Sequence, residues 1–190
     1  MPNDPDILPG LHDVPWASLR TAHGTAESIP AAIRGLASAT SDADADHWYW
    51  KLDNHVVLQG SLYEAAYAVI PFAISIVDSS APEFTRAHAY DLLVEIARGV
   101  VGDPSHASVV APSGATEPLD RACLEQIVTA RDRYVADLQG DESTVRRKAL
   151  DLIVSLDDDP ASVRKLLVSI DPAGDDEFAD ALNRELDDLD

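Results

Sequence analysis

The chain has 190 residues, 46% of them hydrophobic, with 34 acidic against 14 basic side chains and a formal net charge of −20. That length allows one core or a short repeat array rather than two full domains, and the apolar content excludes intrinsic disorder. The charge disfavours nucleic acid, whose binding depends on basic residues releasing counterions, and disfavours anionic membranes. It favours steered capture of a basic protein.

Residues 1–14 read as an N-terminal arm without the basic n-region and apolar h-region of a signal peptide, and 15–190 as one helical domain. "VPWASLRTAH" predicts a first helix, with Pro15 at its start and Gly24 beyond it. "ESIPAAIRGLAS" follows, with Ile29, Ile33 and Leu36 at helical spacing. Asp42, Asp44 and Asp46 then open a helix through "HWYWKLDNHVVL", where acids complement the helix dipole. Gln59-Gly60 marks a turn between paired helices, and Ser61 with Glu64 makes a capping box for a helix over about 62–77. That helix is apolar on most sides, which predicts burial between neighbours. Its unbroken apolar run is shorter than the roughly 20 residues a membrane span needs. Pro71 lies inside it and predicts a bend near Tyr67.

"PEFTRAHAYDLLVEIARGV" predicts the next helix, and residues 103–118, rich in proline and small polar residues, the longest loop. "LDRACLEQIVTARDRYVADLQ", "DESTVRRKALDLIVSL", "DPASVRKLLVSI" and "DEFADALNRELDDL" complete the chain. No stretch shows convincing strand alternation, so the expected class is all-α, with eight or nine helices. Cys123, the one cysteine, cannot form an intrachain disulfide and lies on an apolar helix face, which predicts an inert buried thiol and fits a reducing cytoplasm.

Several helices arrive in pairs of roughly 35–45 residues, the range of helical solenoids. "DESTVRRKALDLIVSL", with an acidic turn, Val145-Arg146 and Ala149, resembles the first helix of a HEAT repeat. In such repeats the arginine bonds the acidic turn of a neighbouring repeat and the alanine permits close approach. Ile29-Pro30, Gln59-Gly60, Tyr63 with Ala65 and Ala66, Pro71-Phe72 and "DLLVEIARG" resemble a module of bacterial HEAT-like proteins. The resemblance covers about 15–102 and 141–170, while 103–140 match poorly. It implies a short right-handed α-α superhelix, a HEAT-like solenoid of about four helix pairs, and speaks to architecture before activity.

Trp48, Tyr49 and Trp50 are spread around their helix by successive 100° steps, so at least one faces outward or towards a neighbouring segment. Bordered by Asp42, Asp44, Asp46 and Asp53, they suit a partner-binding hot spot with an acidic rim; the alternative is that Trp48 and Leu52 fill the core. Asp157, Asp158 and Asp159 end a helix where carboxylates oppose the dipole, which hints at another purpose and adds them to the candidate partner-binding residues. Asp159 is also placed to cap the helix beginning at Pro160. The six histidines are scattered, His88 and Asp91 lie three apart, and no metal-ligand or glycine-rich phosphate motif occurs. Glu64 is the one candidate for a buried catalytic acid.

These features point to a protein-binding module without cofactor or metal. Its specific form is an immunity protein neutralising a basic toxin domain such as a nuclease. A scaffold or adaptor unrelated to toxins, and an enzyme built around Glu64, are the alternatives.

Overall fold

A computed structural model describes residues 8–103, 108–110, 114–156 and 159–189. Over these it is mostly helical, with nine α-helices: α1 (Ile29–Ala37), α2 (Asp42–Val56), α3 (Glu64–Val77), α4 (Glu83–Arg98), α5 (Leu119–Val128), α6 (Arg131–Leu138), α7 (Ser143–Leu156), α8 (Pro160–Leu167) and α9 (Asp176–Asp188). Three short antiparallel pairs join them: β1 (Arg20–Thr21) with β2 (Gly24–Thr25), β3 (Val57–Leu58) with β4 (Ser61–Leu62), and β5 (Ser108–Val110) with β6 (Thr116–Pro118).

The helices follow the apolar periodicity. In α3 the buried set is Ala65, Ala66, Val69, Ile70, Phe72, Ala73, Ile76 and Val77, the pattern of a helix packed on most sides. Backbone of α3 stays helical through Pro71, which is exposed. Its missing N–H therefore falls on the wetter side, where loss of the bond to Tyr67 costs least. None of the described helices is long and apolar enough to cross a membrane. Asp159 caps α8 as expected, accepting from the Ala161 N–H at 3.2 Å and the Ser162 hydroxyl at 2.6 Å. Cys123 is buried, and burial pushes its thiol up to about 12, which makes it inert at neutral pH.

Four local readings differ. The first helix is replaced by one 3-10 turn at Trp16–Ser18 and the β1–β2 hairpin. Leu19 turns extended after that turn, and Trp16 is held by its indole N–H donating to the Leu11 carbonyl at 2.8 Å. The Ser61–Glu64 capping box does not form. Ser61 belongs to β4, and α3 starts after Tyr63 without a side-chain cap, while Glu64 Oε2 accepts from the Arg20 N–H at 3.2 Å. Gln59 and Gly60 both have positive φ, 51° and 77°, and close the two-residue turn of the β3–β4 hairpin, an arrangement that fits strand twist. Within 103–118, residues 108–110 and 116–118 form the antiparallel β5–β6 pair instead of plain loop, with Val109 opposite Glu117. The long helical stretch 119–139 is divided into α5 and α6.

Helix contacts fall into a regular order: α1 packs on α2, α3 on α4 and α6 on α7, while α2 also packs on α4, α4 on α7 and α7 on α9. Two buried arginines recur within that order. Arg86 and Arg146 are each the fourth residue of their helix, α4 and α7. Arg86 Nε donates to the carbonyl of Val77, the last residue of α3, at 3.0 Å. Arg146 Nε donates to the carbonyl of Leu138, the last residue of α6, at 3.2 Å. The remaining nitrogens reach further along the chain, to the end of α6 and the α6–α7 connection from Arg86 and to the α8–α9 connection from Arg146. Those of Arg86 meet Asp137 at 2.7 Å and Glu142; those of Arg146 meet the carbonyls of Asp171 at 2.6 Å and Pro172 at 3.0 Å. Arg146 also lies 3.8 Å over the Phe178 ring. Each guanidinium thereby satisfies carbonyls at a helix end that have no partner within the helix.

Candidate protein-binding surface

The acidic helix α2 starts with reciprocal capping. Ser41 Oγ accepts from the Asp44 N–H at 3.2 Å, and Asp44 Oδ2 accepts from the Thr40 N–H at 3.1 Å. Asp44 Oδ1 also accepts from the Trp48 indole N–H at 3.0 Å. Trp48 lies against Gly35 of α1 so closely that a Cβ there would come within 2.2 Å of its ring. Asp44 and Trp48 are thus committed to the α1–α2 seam and leave the predicted hot spot.

The other members stay together on the seam between α2 and α4. Tyr49 is buried, with its ring 5.6 Å from that of His88 and 5.1 Å from that of Trp50. Trp50 is 50% exposed, whereas Trp16 is buried and Trp48 partly buried. Asp42 meets His88 Nε2 at 3.2 Å, and Asp46, one turn before Trp50, is exposed. Asp53 is half-buried. Burial first, then the Glu95 charge, push its carboxyl up to about 6, against a smaller opposing effect of the Tyr49 hydroxyl. Burial, then Asp53, Asp91 and Glu95, push the Tyr49 phenol well above its ordinary range.

This arrangement extends across two more seams. Lys148 of α7 pairs with Asp91 of α4 at 2.6 Å, and Arg98 Nε donates to the Ser155 hydroxyl at 2.9 Å. Asp151 of α7 is raised by burial first and further by Asp91, with Lys148 and Arg98 opposing. Glu185 of α9 is raised by burial, then by Asp151 and Asp188. Asp53 is repelled by Glu95 and Glu185 by Asp151, whereas at the α4–α7 junction Lys148 and Arg98 attract Asp151 more strongly than Asp91 repels it. The result is an acidic ribbon running over four helices, with Trp50 at one end.

Asp91, Glu95, Asp151 and Glu185 are absent from the sequence-based set. Asp91 and Glu95 do carry a local sign, since like charges four apart on a helix are unfavourable without another use. Asp159, placed in that set, is a cap on α8; Asp157 and Asp158 lie outside the described residues. His88 Nδ1 stands 4.0 Å from Asp91 Oδ2, while its Nε2 takes the shorter contact to Asp42. Glu64 lines a separate cavity of about 330 Å3 with Leu19, Tyr67, Ala68 and Ser108–Val110. Among the described residues, no group of three His, Cys, Asp or Glu side chains is placed to hold a metal ion.

Comparison with protein-family models, with curated proteins and with solved structures finds no match, so the reading of this ribbon rests on its own geometry.

Proposed function

We propose that the chain is a protein-binding module of HEAT-like construction whose acidic ribbon captures a basic protein partner. The repeat reading is supported by the serial packing of α2, α4, α7 and α9 and by the recurring arginines Arg86 and Arg146, each bridging the end of the preceding helix to groups further along the chain. Side-by-side helices of this kind make extended binding faces.

The observation that carries the binding reading is the pair of partly buried, repelling carboxylate junctions, Asp53 with Glu95 and Asp151 with Glu185, the first beside half-exposed Trp50. Burying like charges costs stability, and a cationic partner relieves that cost on binding. Carboxylates steer the encounter, and Trp50 supplies the kind of aromatic anchor that slows dissociation. The narrower form of the proposal is an immunity-type inhibitor masking a basic toxin domain, for example a nuclease, with the carboxylates standing where a nucleic-acid substrate places phosphates.

The test is capture of the partner by the full chain, followed by measurement of the purified pair. A basic partner is expected, with affinity falling steeply with salt and falling in Trp50→Ala and in Glu95→Gln. A neutral or acidic partner, or one bound equally by both variants, overturns the proposal. A basic partner whose own activity continues in the complex overturns the immunity form alone.

A further inference from the structure

A second cavity, also about 330 Å3, opens at the α1–α2 seam and is lined by Ser28, Ala31, Ala32, Trp48, Lys51 and His55. It lies on the α1 side of α2, apart from the ribbon, and its chemistry is different. We propose that this cavity binds a small organic monocarboxylate.

Its cation is Lys51. In a chain with 34 acidic and 14 basic side chains, most cations should find a carboxylate, yet Lys51 forms no ion pair among the described residues. Its ammonium stands 4.5 Å over the centre of the Trp48 ring. That contact holds the charge at the cavity while leaving its hydrogen-bonding capacity for an anion.

Two further groups converge there. Ser28 immediately precedes α1, and its hydroxyl makes no cap bond to the first turn. It therefore remains a donor at the positive end of the α1 dipole. His55 is held below its ordinary pKa by burial and then by the His23 ring, 5.3 Å away. A neutral imidazole adds no charge to the site.

The walls are firm and apolar. Ala31 and Ala32 of α1 and Trp48 of α2 supply them. Trp48 cannot swing away easily, because its indole N–H is bonded to Asp44 and its ring rests on Gly35. One cation, one hydroxyl and one neutral imidazole match a single negative charge. The −20 surroundings oppose a dianion more strongly than a monoanion. The alanine and indole walls accept a hydrocarbon or aryl body, and the volume is at the small end of ligand pockets, which begin at roughly 300 Å3.

The experiment is a titration of the full chain with sodium benzoate, followed by amide and indole NMR signals, with inorganic phosphate titrated in parallel. Saturable shifts confined to 28–32, Trp48, Lys51 and His55 are expected, with weaker or no response to phosphate. Lys51→Gln should weaken benzoate binding about tenfold, the loss of one charge-assisted hydrogen bond, and Lys51→Arg should restore much of it. Lys51 is exposed, so both variants should keep the native spectrum. Shifts that stay linear in benzoate, that scatter over the surface, or that persist unchanged in Lys51→Gln overturn the site. Phosphate binding as tightly as benzoate overturns the monocarboxylate assignment.

Discussion

The Arg86 clamp and the acidic ribbon both place carboxylates out of water on neighbouring helices, with opposite bookkeeping of charge. At the clamp, buried Asp137 accepts from Arg86 at 2.7 Å, from the Tyr90 hydroxyl at 2.7 Å and from Arg133 at 2.9 Å. Burial, and then the Asp137 charge, push the Tyr90 phenol well above its ordinary value, so it remains a donor. At the ribbon, half-buried Asp53 is repelled by Glu95, and Glu185 by Asp151. A matched buried charge belongs to folding; repelling carboxylates beside an exposed tryptophan are the feature on which the proposed binding role rests.

The sharpest way to break this contrast is Arg86→Met. It leaves Asp137 without its main cation and frees the Val77 carbonyl, so unfolding in urea should show a loss of about 3–5 kcal/mol. A loss below about 1 kcal/mol would remove the clamp from the structural side of the comparison. Trp50→Ala should do the reverse. Folding stability should stay within about 0.5 kcal/mol, while affinity for the basic partner drops by about 2 kcal/mol or more, roughly thirtyfold, by calorimetry.

Gly35→Ala tests whether Trp48 is committed to the core. The added methyl meets the indole, so overpacking should cost about 1–3 kcal/mol and perturb the Trp48 indole signal, with binding at the ribbon unchanged. The smallest effect belongs to Asp53. A carboxyl raised on folding, from 3.8 to about 6, holds its proton in the folded state where the unfolded chain has lost it. Stability from this group is therefore lost as pH rises through that window, and the full penalty stands above it. Asp53→Asn should stabilise the free chain at pH 7 by about 1 kcal/mol after allowance for solvent screening, and should flatten this part of the stability–pH curve. A destabilised Asp53→Asn would place Asp53 with Asp137 among the structural carboxylates.

Helices α2, α4, α7, α8 and α9 were legible because each carries a sustained apolar stripe with its own start signal, as with Asp159 before Pro160. The short elements were not. "VPWASLRTAH" has helix formers but too little periodicity to outweigh the hairpin around Gly24, and Ser61-x-x-Glu64 matches a capping box although Ser61 is paired with Leu58. In the second case a two-residue turn with positive φ at Gln59 and Gly60 overrides local propensity, and in the first the positive φ falls on Gly24, paired with Thr21. The candidate surface was half legible. Aromatics next to aspartates marked α2, but adjacent letters cannot tell that Trp48 turns to Gly35 while Trp50 turns outward.

The sequence by itself determined the helical class, the large negative charge and the chemistry available on each helix, because apolar period, caps and composition act within a few residues. Only the tertiary structure decided which carboxylates oppose one another. Asp53 and Glu95, or Asp151 and Glu185, lie on different helices, and their meeting depends on how α2, α4, α7 and α9 pack. Coulomb energy follows distance in space, and that distance is set by the packing of the apolar faces beneath.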